Sequence, residues 1–320
     1  MRGRAAIVIA LVLLALAVVP HGYAQAGEPP GTTLRATPVT PPGAAPQTVR
    51  FQQQPTQAGD RAVQSLAIEL GLTTRITQSG QIAHESQSTM RREQRRTLEV
   101  LEVSEGRATK TRATFDYSRR QSPEGPHPAE LARQPIEGKS YLAIRIGDEL
   151  SITDLSGAVP PAEELKLVAE SLENVGKPNP LASLLVNRQV AVGERIFVPR
   201  DLVQELLGFE DPIGAVRKFE LTLRRIEPAD AATAATRAVF DAALLIVPND
   251  ASPLSIQLAG VIAVEVDTCR LAHVELKGPV QLSSIERTRG GIFQYSAGGE
   301  LNLAIASQYG RTEVASRSAP

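Results

Sequence analysis

The chain of 320 residues contains no tryptophan, and only 4% of its residues are aromatic. Aromatic surfaces on which bases could stack are therefore scarce, and a hydrophobic core must be built from Leu, Ile, Val and Ala. Cys269 is the sole cysteine. Because one cysteine cannot form an intramolecular disulfide, the fold has to be stabilised by burial of apolar surface.

Motifs that carry catalytic or metal-binding chemistry are also missing. The sequence has no His-Glu-x-x-His or Cys-x-x-Cys pattern, no Gly-x-Ser-x-Gly elbow, no phosphate-binding loop and no dinucleotide fingerprint. His84, His127 and His273 stand far apart in unlike contexts. Cys269 falls at a predicted hairpin tip beside Arg270, where a passive thiol is a simpler interpretation than a reactive one. We therefore expect no catalytic residue, cofactor or metal site, and an enzyme is the least favoured class.

Basic residues are not in excess, since the formal net charge is −1. A nucleic-acid partner is not indicated, because it would require a basic face. The densest basic cluster comprises Arg91, Arg92, Arg95 and Arg96, with Glu93 among them. We interpret it as a solvated or strand-edge cluster of the kind that keeps sheets from sticking together. A patch for an anionic partner is the alternative.

The N-terminus has the organisation of a secretory signal peptide. Arg2 and Arg4 precede the apolar run Ala5–Val19, and Ala24-Gln25-Ala26 supplies the small-x-small pattern of a cleavage site. The run is shorter than the roughly 20 apolar residues that cross a bilayer, and no later stretch approaches that length. We expect cleavage after Ala26 and a soluble mature protein in the periplasm or outside the cell. An uncleaved N-terminal anchor is the alternative.

Two terminal segments are predicted to be disordered. Residues 27–47 are rich in proline and nearly free of large apolar side chains. Such a segment cannot bury enough surface to offset the entropy lost on ordering, so we interpret it as a tether. Residues 309–320 are predicted to form a disordered tail.

Between these ends the dominant hydrophobic period is two, which is typical of antiparallel strands with one buried face. Alternation occurs in Leu66–Ile76, Leu142–Ile146, Phe219–Leu223, Ile256–Val266 and Leu301–Ile305. Turn signals fall between the segments. They are Ser79-Gly80, Glu105-Gly106, Gly147-Asp148, Pro248-Asn249-Asp250 and Gly298-Gly299.

One segment has helical periodicity instead. It begins after Pro160 and Pro161, carries acidic residues in its first turn and ends at Gly176. Its apolar residues fall on one stripe, which we expect to line a core or a cavity: Leu165, Val168, Leu172 and Val175. Further short helices are predicted near Leu181–Asn187 and Asp201–Leu207.

An internal repeat is indicated when the chain is shifted by about 125 positions. The shift places Thr111–Asp116 on Thr236–Asp241, and Gly138–Val159 resembles Gly260–Val280 with small gaps. Chance similarity of two β hairpins is the alternative. A duplication divides the chain into a first β unit at 48–159, a helical connection at 160–188 and a second β unit at 189–308.

These elements predict a mainly β fold with minor α content. We expect a large curved antiparallel sheet or open barrel, formed by two duplicated β units, with the amphipathic helix on its concave face. The layout of strands and helix over residues 49–305 resembles the lipoprotein-carrier superfamily, in which helices plug an incomplete β-barrel. Val192–Pro199 also resembles a Val-Gly-Glu stretch of secreted bacterial proteins of unknown function, although the tryptophan of that pattern is absent.

Two functions follow from this layout. The first is a non-catalytic binding module whose sheet and helix enclose a cavity for a lipid or another apolar ligand, as the resemblance to lipoprotein carriers implies. The second is a structural or interaction module of the cell envelope, with a filled core and a protein partner. A cavity of several hundred Å3 would favour the first.

Overall fold

The computed structural model describes residues 47–121, 130–207, 215–229, 235–249, 252–288 and 291–311. The predicted signal peptide, all but the last residue of the tether and most of the predicted tail lie outside these ranges. Most described residues are in strands. None of the described helices is long and apolar enough to span a membrane.

The long strands form β hairpins that follow one another along the chain. Their bounds are β1 Thr48–Arg50, β2 Asp60–Gln78, β3 Gln81–Ser104, β4 Arg107–Arg120, β5 Ala132–Arg133, β6 Ser140–Ile146, β7 Glu149–Asp154, β8 Gln189–Ala191, β9 Arg195–Phe197, β10 Ala215–Glu227, β11 Arg237–Val247, β12 Leu254–Glu265, β13 Leu271–Thr288 and β14 Gly291–Arg311. The helices are α1 Ala162–Leu172, α2 Pro180–Leu185 and α3 Arg200–Leu207. The predicted alternating segments are thus confirmed as strands, and the three helical predictions are confirmed within a few residues.

Twelve strands form one open antiparallel sheet, in the order β7-β6-β4-β3-β2-β14-β13-β12-β11-β10-β9, with β5 beside β4. We call β2–β7 the first half and β9–β14 the second half. The halves join where β2 pairs with β14, from Asp60 opposite Arg311 to Gln78 opposite Phe293. The prediction of a large, curved, unclosed antiparallel sheet with minor α content is confirmed.

One face of this sheet is buried along its whole width. Directly opposed residues of antiparallel strands point to the same face, and the register places Ala62, Leu98, Ala113 and Tyr141 in one row across four strands. We call the face that bears this row the inner face. All three helices follow the first half in the chain, and α1 and α2 pack on the inner face. On the opposite face, Val239, Ala263 and Ala272 form a small buried cluster.

The inner face carries two apolar cores. The larger core contains residues of α2, of β2 and of every long strand of the second half, including Leu181, Leu185, Leu221, Phe240 and Leu303. The smaller core lies in the first half, where α1 packs on β3, β4, β6 and β7 through Val168, Leu172, Leu98, Phe115 and Ile152.

The first strand of the chain, β1, is not part of the large sheet. β1 lies outside the large sheet and pairs with β8 in a separate two-stranded sheet. Val49 and Phe51 are buried in the larger core, and the ring of Phe51 stacks on that of Phe240 at 6.1 Å. The segment Thr48–Phe51 thus buries its apolar side chains against the second half, while the division into units at 48–159 and 189–308 stays a prediction.

The turn predicted at Gly298-Gly299 is wrong, because β14 continues through both residues. An added Cβ on Gly299 would lie 1.7 Å from the carbonyl oxygen of Gly71. Gly299 thus allows β2 and β14 to approach closely where the two halves join. Close approach of two backbones is a common reason for glycine within a strand.

The C-terminal boundary at 308 is also corrected, since β14 runs to Arg311. Tyr309 donates a hydrogen bond to the carbonyl of Leu271 at 3.4 Å, and its ring lies 4.9 Å below the guanidinium carbon of Arg270. These contacts hold the end of the strand in the sheet. In the proposed repeat, Thr111–Asp116 lies within β4, and Thr236–Asp241 begins one residue before β11 and continues into it. A common origin of the two units stays a prediction.

Candidate functional site

The predicted apolar stripe of α1 divides between a filled core and a cavity. Val168 and Leu172 are 0% exposed and pack in the smaller core, with Leu165 partly buried beside them. Val175, two residues beyond the helix cap at Glu173, contributes to the same core and also lines a cavity. Most of the helix therefore packs directly on the sheet.

The N-terminal end of α1 is bound to β6 by a buried carboxylate. Glu164 accepts hydrogen bonds from Lys139 Nζ at 2.6 Å and from the hydroxyl of Tyr141 at 2.7 Å. The lysine and tyrosine contacts lower the pKa of Glu164 despite its burial. Burial and the adjacent Glu164 raise the pKa of Tyr141, which keeps its hydroxyl protonated as a donor.

The C-terminal end of α1 is bound by arginines from two strands. Arg96 of β3 donates to the carbonyl of Ser171, and Arg145 of β6 donates to the carbonyls of Glu173 and Val175. Cations at this end of a helix satisfy the last carbonyls and oppose the helix dipole. Because both ends of α1 are fixed, the helix is a wall of the structure and not a movable lid.

A row of buried polar residues, which we call the polar seam, separates the two apolar cores. It comprises Gln64, Arg92, Gln94, Arg96, Ser118 and Ser171. Arg96 donates to Gln64 Oε1 at 3.0 Å from Nε, and Gln94 donates to the hydroxyls of Ser118 and Ser171. Burial lowers the pKa of Arg96 to about 9 and lowers that of Arg92.

The prediction of a solvated or strand-edge arginine cluster is therefore wrong for two of its members. Arg92 and Arg96 lie on the inner face of an interior strand, at 7% and 3% exposure. Arg95 points to the other face and is exposed. The burial of Arg92 and Arg96 could have been predicted from the alternation of side chains along the strand, because Arg92, Gln94 and Arg96 point to the same face as Leu98 and Val100.

A cavity of about 510 Å3 lies at one end of the polar seam, beside the smaller core. Its floor is apolar and consists of buried residues of β2 and β3, namely Ala62, Leu98 and Val100. The chain between α1 and α2 forms one wall, from Asn174 to Asn179. In this wall Gly176 has a φ of +80° and approaches the carbonyl of Ala108, a conformation that favours glycine.

The opposite wall is formed by an extended segment, Gln53–Thr56, which crosses the cavity before β2. Backbone hydrogen bonds fix it at both ends. Gln54 donates to the carbonyl of Asp267 at 3.0 Å, and Thr56 donates to that of Gly106 at 3.2 Å. This segment thus connects the turn after β12 in the second half with the turn after β3 in the first.

Polar groups surround the rim of the cavity. Lys177 pairs with Glu173 at 2.8 Å, and Arg270 pairs with Asp60 at 3.1 Å. Arg107, exposed on the rim, forms no ion pair with any described residue. Thr111 also lines the cavity, and its buried hydroxyl has no hydrogen-bond partner among the described residues. The cavity therefore combines an apolar floor with a polar rim.

Of the residues considered for chemistry, His84, His273 and Cys269 are not among those that line this cavity, and His127 lies outside the described residues. Cys269 is buried, donates from its thiol to the carbonyl of Gln52 at 3.2 Å, and has its pKa raised to about 12 by burial. A thiol with such a pKa stays protonated at neutral pH and is a poor nucleophile. Across the described part of the chain, no three His, Cys, Asp or Glu residues are grouped as a metal site would require.

The sequence predicts a cavity between sheet and helix and includes Val175 in its candidate lining, but it does not locate the remaining lining, because these residues are distant in the chain. The floor comes from strands near residues 62 and 98–100, while the walls come from residues 53–56 and 174–179. Gly176 was used only as a signal for the end of a helix. Its neighbours Lys177 and Pro178 gave no indication that the connection bends over the sheet.

Comparisons with known proteins give only weak structural likenesses. No family model matches the chain, and no curated protein matches it in sequence. A lipovitellin structure concerned with lipid–protein interactions aligns with 82% of this chain at 8% identity and a TM-score of 0.34, and the chain spans only 27% of that protein. A LolA superfamily protein from Nitrosomonas europaea aligns over 78% of this chain and 87% of its own, at 6% identity and a TM-score of 0.14. The resemblance to lipoprotein carriers thus stays a weak one, and scores this low carry no argument about function.

Proposed function

We propose that this protein binds a small apolar or amphipathic molecule, such as a fatty acyl chain, in the cavity between the sheet and the α1–α2 connection. The observation that carries the proposal is the cavity itself, about 510 Å3, in which the apolar side chains of Ala62, Leu98 and Val100 lie within a lining that is about equally polar and apolar. Its volume lies within the roughly 300–1,000 Å3 that small-molecule sites occupy. An apolar chain would cover Ala62, Leu98 and Val100, while a polar end would face the rim.

The role is non-catalytic in this proposal, and it is carried out after export. Export is supported by the sequence pattern of the leader, which ends at Ala26. Edman sequencing of the protein from the exported fraction should return Gly27 as its first residue. Recovery of Met1 from that fraction would contradict the assignment to the periplasm or the exterior.

A second candidate function is a structural or protein-interaction module of the envelope. It is favoured by two observations, namely that the larger core buries side chains from every long strand of the second half, and that both ends of α1 are fixed. In that case the space beside Val175 would be an incidental gap in the packing, and no ligand would bind there with measurable affinity.

Titration with a fluorescent fatty acid separates the two functions. Ala62→Leu fills the cavity floor, whereas the matched Ala67→Leu adds the same atoms to an exposed position of β2. We expect saturable binding to wild type and to Ala67→Leu. The dissociation constant for Ala62→Leu should be higher by about tenfold or more, equivalent to a loss of at least about 1.4 kcal/mol of binding free energy. Thermal unfolding of each variant checks that it is folded. Absence of saturable binding to wild type would leave the envelope module as the function.

A further inference from the structure

At the C-terminal end of β4, two arginines of neighbouring strands lie directly opposite each other. The register pairs Arg92 of β3 with Arg120 of β4. Side chains at directly opposed positions have Cβ atoms about 4.5–5.5 Å apart, and like charges there are destabilising. Both residues line a separate small cavity of about 10 Å3, together with Met90, Gln134 and Leu167.

The described acidic residues neutralise this pair of cations only in part. Two further charged residues line the cavity, Arg91 and Glu170. Arg91 pairs with Glu93 at 2.5 Å, whereas Glu170, 3.9 Å from Lys166, also attracts the charge of Arg92. Among the described residues, one carboxylate thus faces the two guanidinium groups of Arg92 and Arg120, so one positive charge remains in excess at the cavity.

The two arginines of the polar seam differ in how well their hydrogen bonds are satisfied. Arg96 donates from Nε and one terminal nitrogen to Gln64 Oε1 and from the other to the carbonyl of Ser171. Arg92 makes one long contact of 3.5 Å to the hydroxyl of Ser171, and its buried Nε has no partner among the described residues. A buried guanidinium left in this state is costly, because burial of a charge is normally compensated by a counter-charge.

From this geometry we propose that the cavity between Arg92 and Arg120 is a binding site for a monatomic anion, with chloride as the physiological ligand. A cavity of about 10 Å3 is the size of one water-sized sphere. It has room for a single monatomic ligand and is too small for sulfate or phosphate; because a halide is larger than a water molecule, the lining side chains must move slightly apart to admit it. Gln134 accepts from the Ser118 hydroxyl through Oε1 at 2.7 Å, which leaves its amide nitrogen as a further donor to the anion. This site is independent of the ligand cavity and of the proposed function.

The test is thermal unfolding of the full chain in sodium chloride and in sodium gluconate at equal ionic strength. Wild type should unfold at a temperature higher by roughly 2–4 °C in chloride, the size expected for one weakly bound ligand on a chain of this length. Arg120→Gln should lose this difference, and in gluconate it should be at least as stable as wild type because the repulsion is relieved. Arg95→Gln, at an exposed position of β3, should behave as wild type.

A crystal of the wild-type protein grown in sodium bromide gives the direct measurement, and it does not depend on any variant folding. We expect an anomalous peak between the Arg92 and Arg120 guanidinium groups. A density without anomalous signal at that position, which identifies water, would overturn the proposal. Equal unfolding temperatures of wild type in chloride and gluconate, or a chloride effect retained in Arg120→Gln, would overturn it as well.

Discussion

The two halves of the sheet cover the same inner face in different ways. In the second half, side chains of β9–β14, α2 and β1 fill the space with Leu, Ile, Val and Phe. In the first half, the inner face of β3 changes from Val100 and Leu98 to Arg96, Gln94 and Arg92 within ten residues. The cavity and the polar seam lie in this half, so the comparison indicates that the second half supplies stability while the first half supplies the candidate binding site.

Among the variants that test this comparison, Phe51→Ala should cause the largest loss in free energy of unfolding. Phe51 comes from the N-terminal segment but is 1% exposed in the larger core, stacked on Phe240. Truncation of a buried phenylalanine costs about 3–5 kcal/mol, because the cavity left behind collapses only partly. Chemical denaturation measures the loss, and Phe197→Ala, at 66% exposure, is the control with little expected change. A small loss for Phe51→Ala would show that β1 does not belong to the core of the second half.

The next effect compares the two parts of the α1 stripe. Leu172→Ala removes a side chain that is 0% exposed and should cost about 2–5 kcal/mol. Val175 borders the cavity, so Val175→Ala leaves little new empty space. It should cost only the free energy of burying two methyl groups, about 1–2 kcal/mol. The difference in denaturant midpoint measures both. If Leu172→Ala cost no more than Val175→Ala, α1 would be loosely packed, and the interpretation as a fixed wall would fail.

A smaller effect is expected where the two halves join. Gly299→Ala would place a Cβ against the backbone of Gly71, which cannot move without separating β2 from β14. Overpacking of this kind costs about 1–3 kcal/mol. Gly298→Ala is the matched control, because nothing lies within 4 Å of an added Cβ at that position. Equal thermal stability of the two variants would contradict the close approach of the strands.

The smallest effect is the pH dependence of the contact between α1 and β6. The folded pKa of Glu164 is lowered from 4.5, so its stabilising contribution is present above the unfolded pKa and is lost as the pH falls through the folded pKa. The stability difference between wild type and Glu164→Gln should therefore shrink between neutral pH and about pH 3. Glu163→Gln, exposed in the same helical turn, should track wild type. A difference that does not change with pH would exclude the charged form of Glu164 as the source of the stabilisation.

Local patterns predicted the parts of the fold that depend on neighbours in the chain. Alternation of apolar residues located β2, β6, β10, β12 and β14, and Pro160, Pro161 and Gly176 bracketed α1. These signals work because strand and helix periodicity and the demands of helix ends act within a few residues.

Features that depend on distant pairing were not predictable in the same way. Pairing of β1 with β8 joins residues about 140 positions apart. The burial of Arg92 and Arg96 differs, because strand parity indicates it locally, although the rarity of buried arginine favours a surface position. Gly298-Gly299 has the composition of a turn, yet its effect is to bring two strands together. The cavity depends on how residues 53–56 and 174–179 cross the sheet, which no local period encodes.

Native mass spectrometry of the full mature protein after incubation with a saturated fatty acid tests the central claim most directly. The account predicts one bound fatty acid on wild type and on Ala67→Leu, and a largely unliganded mass for Ala62→Leu, because only that change fills the floor of the cavity. An unliganded mass for wild type, or equal occupancy in wild type and Ala62→Leu, would contradict the assignment of the first-half cavity as the binding site.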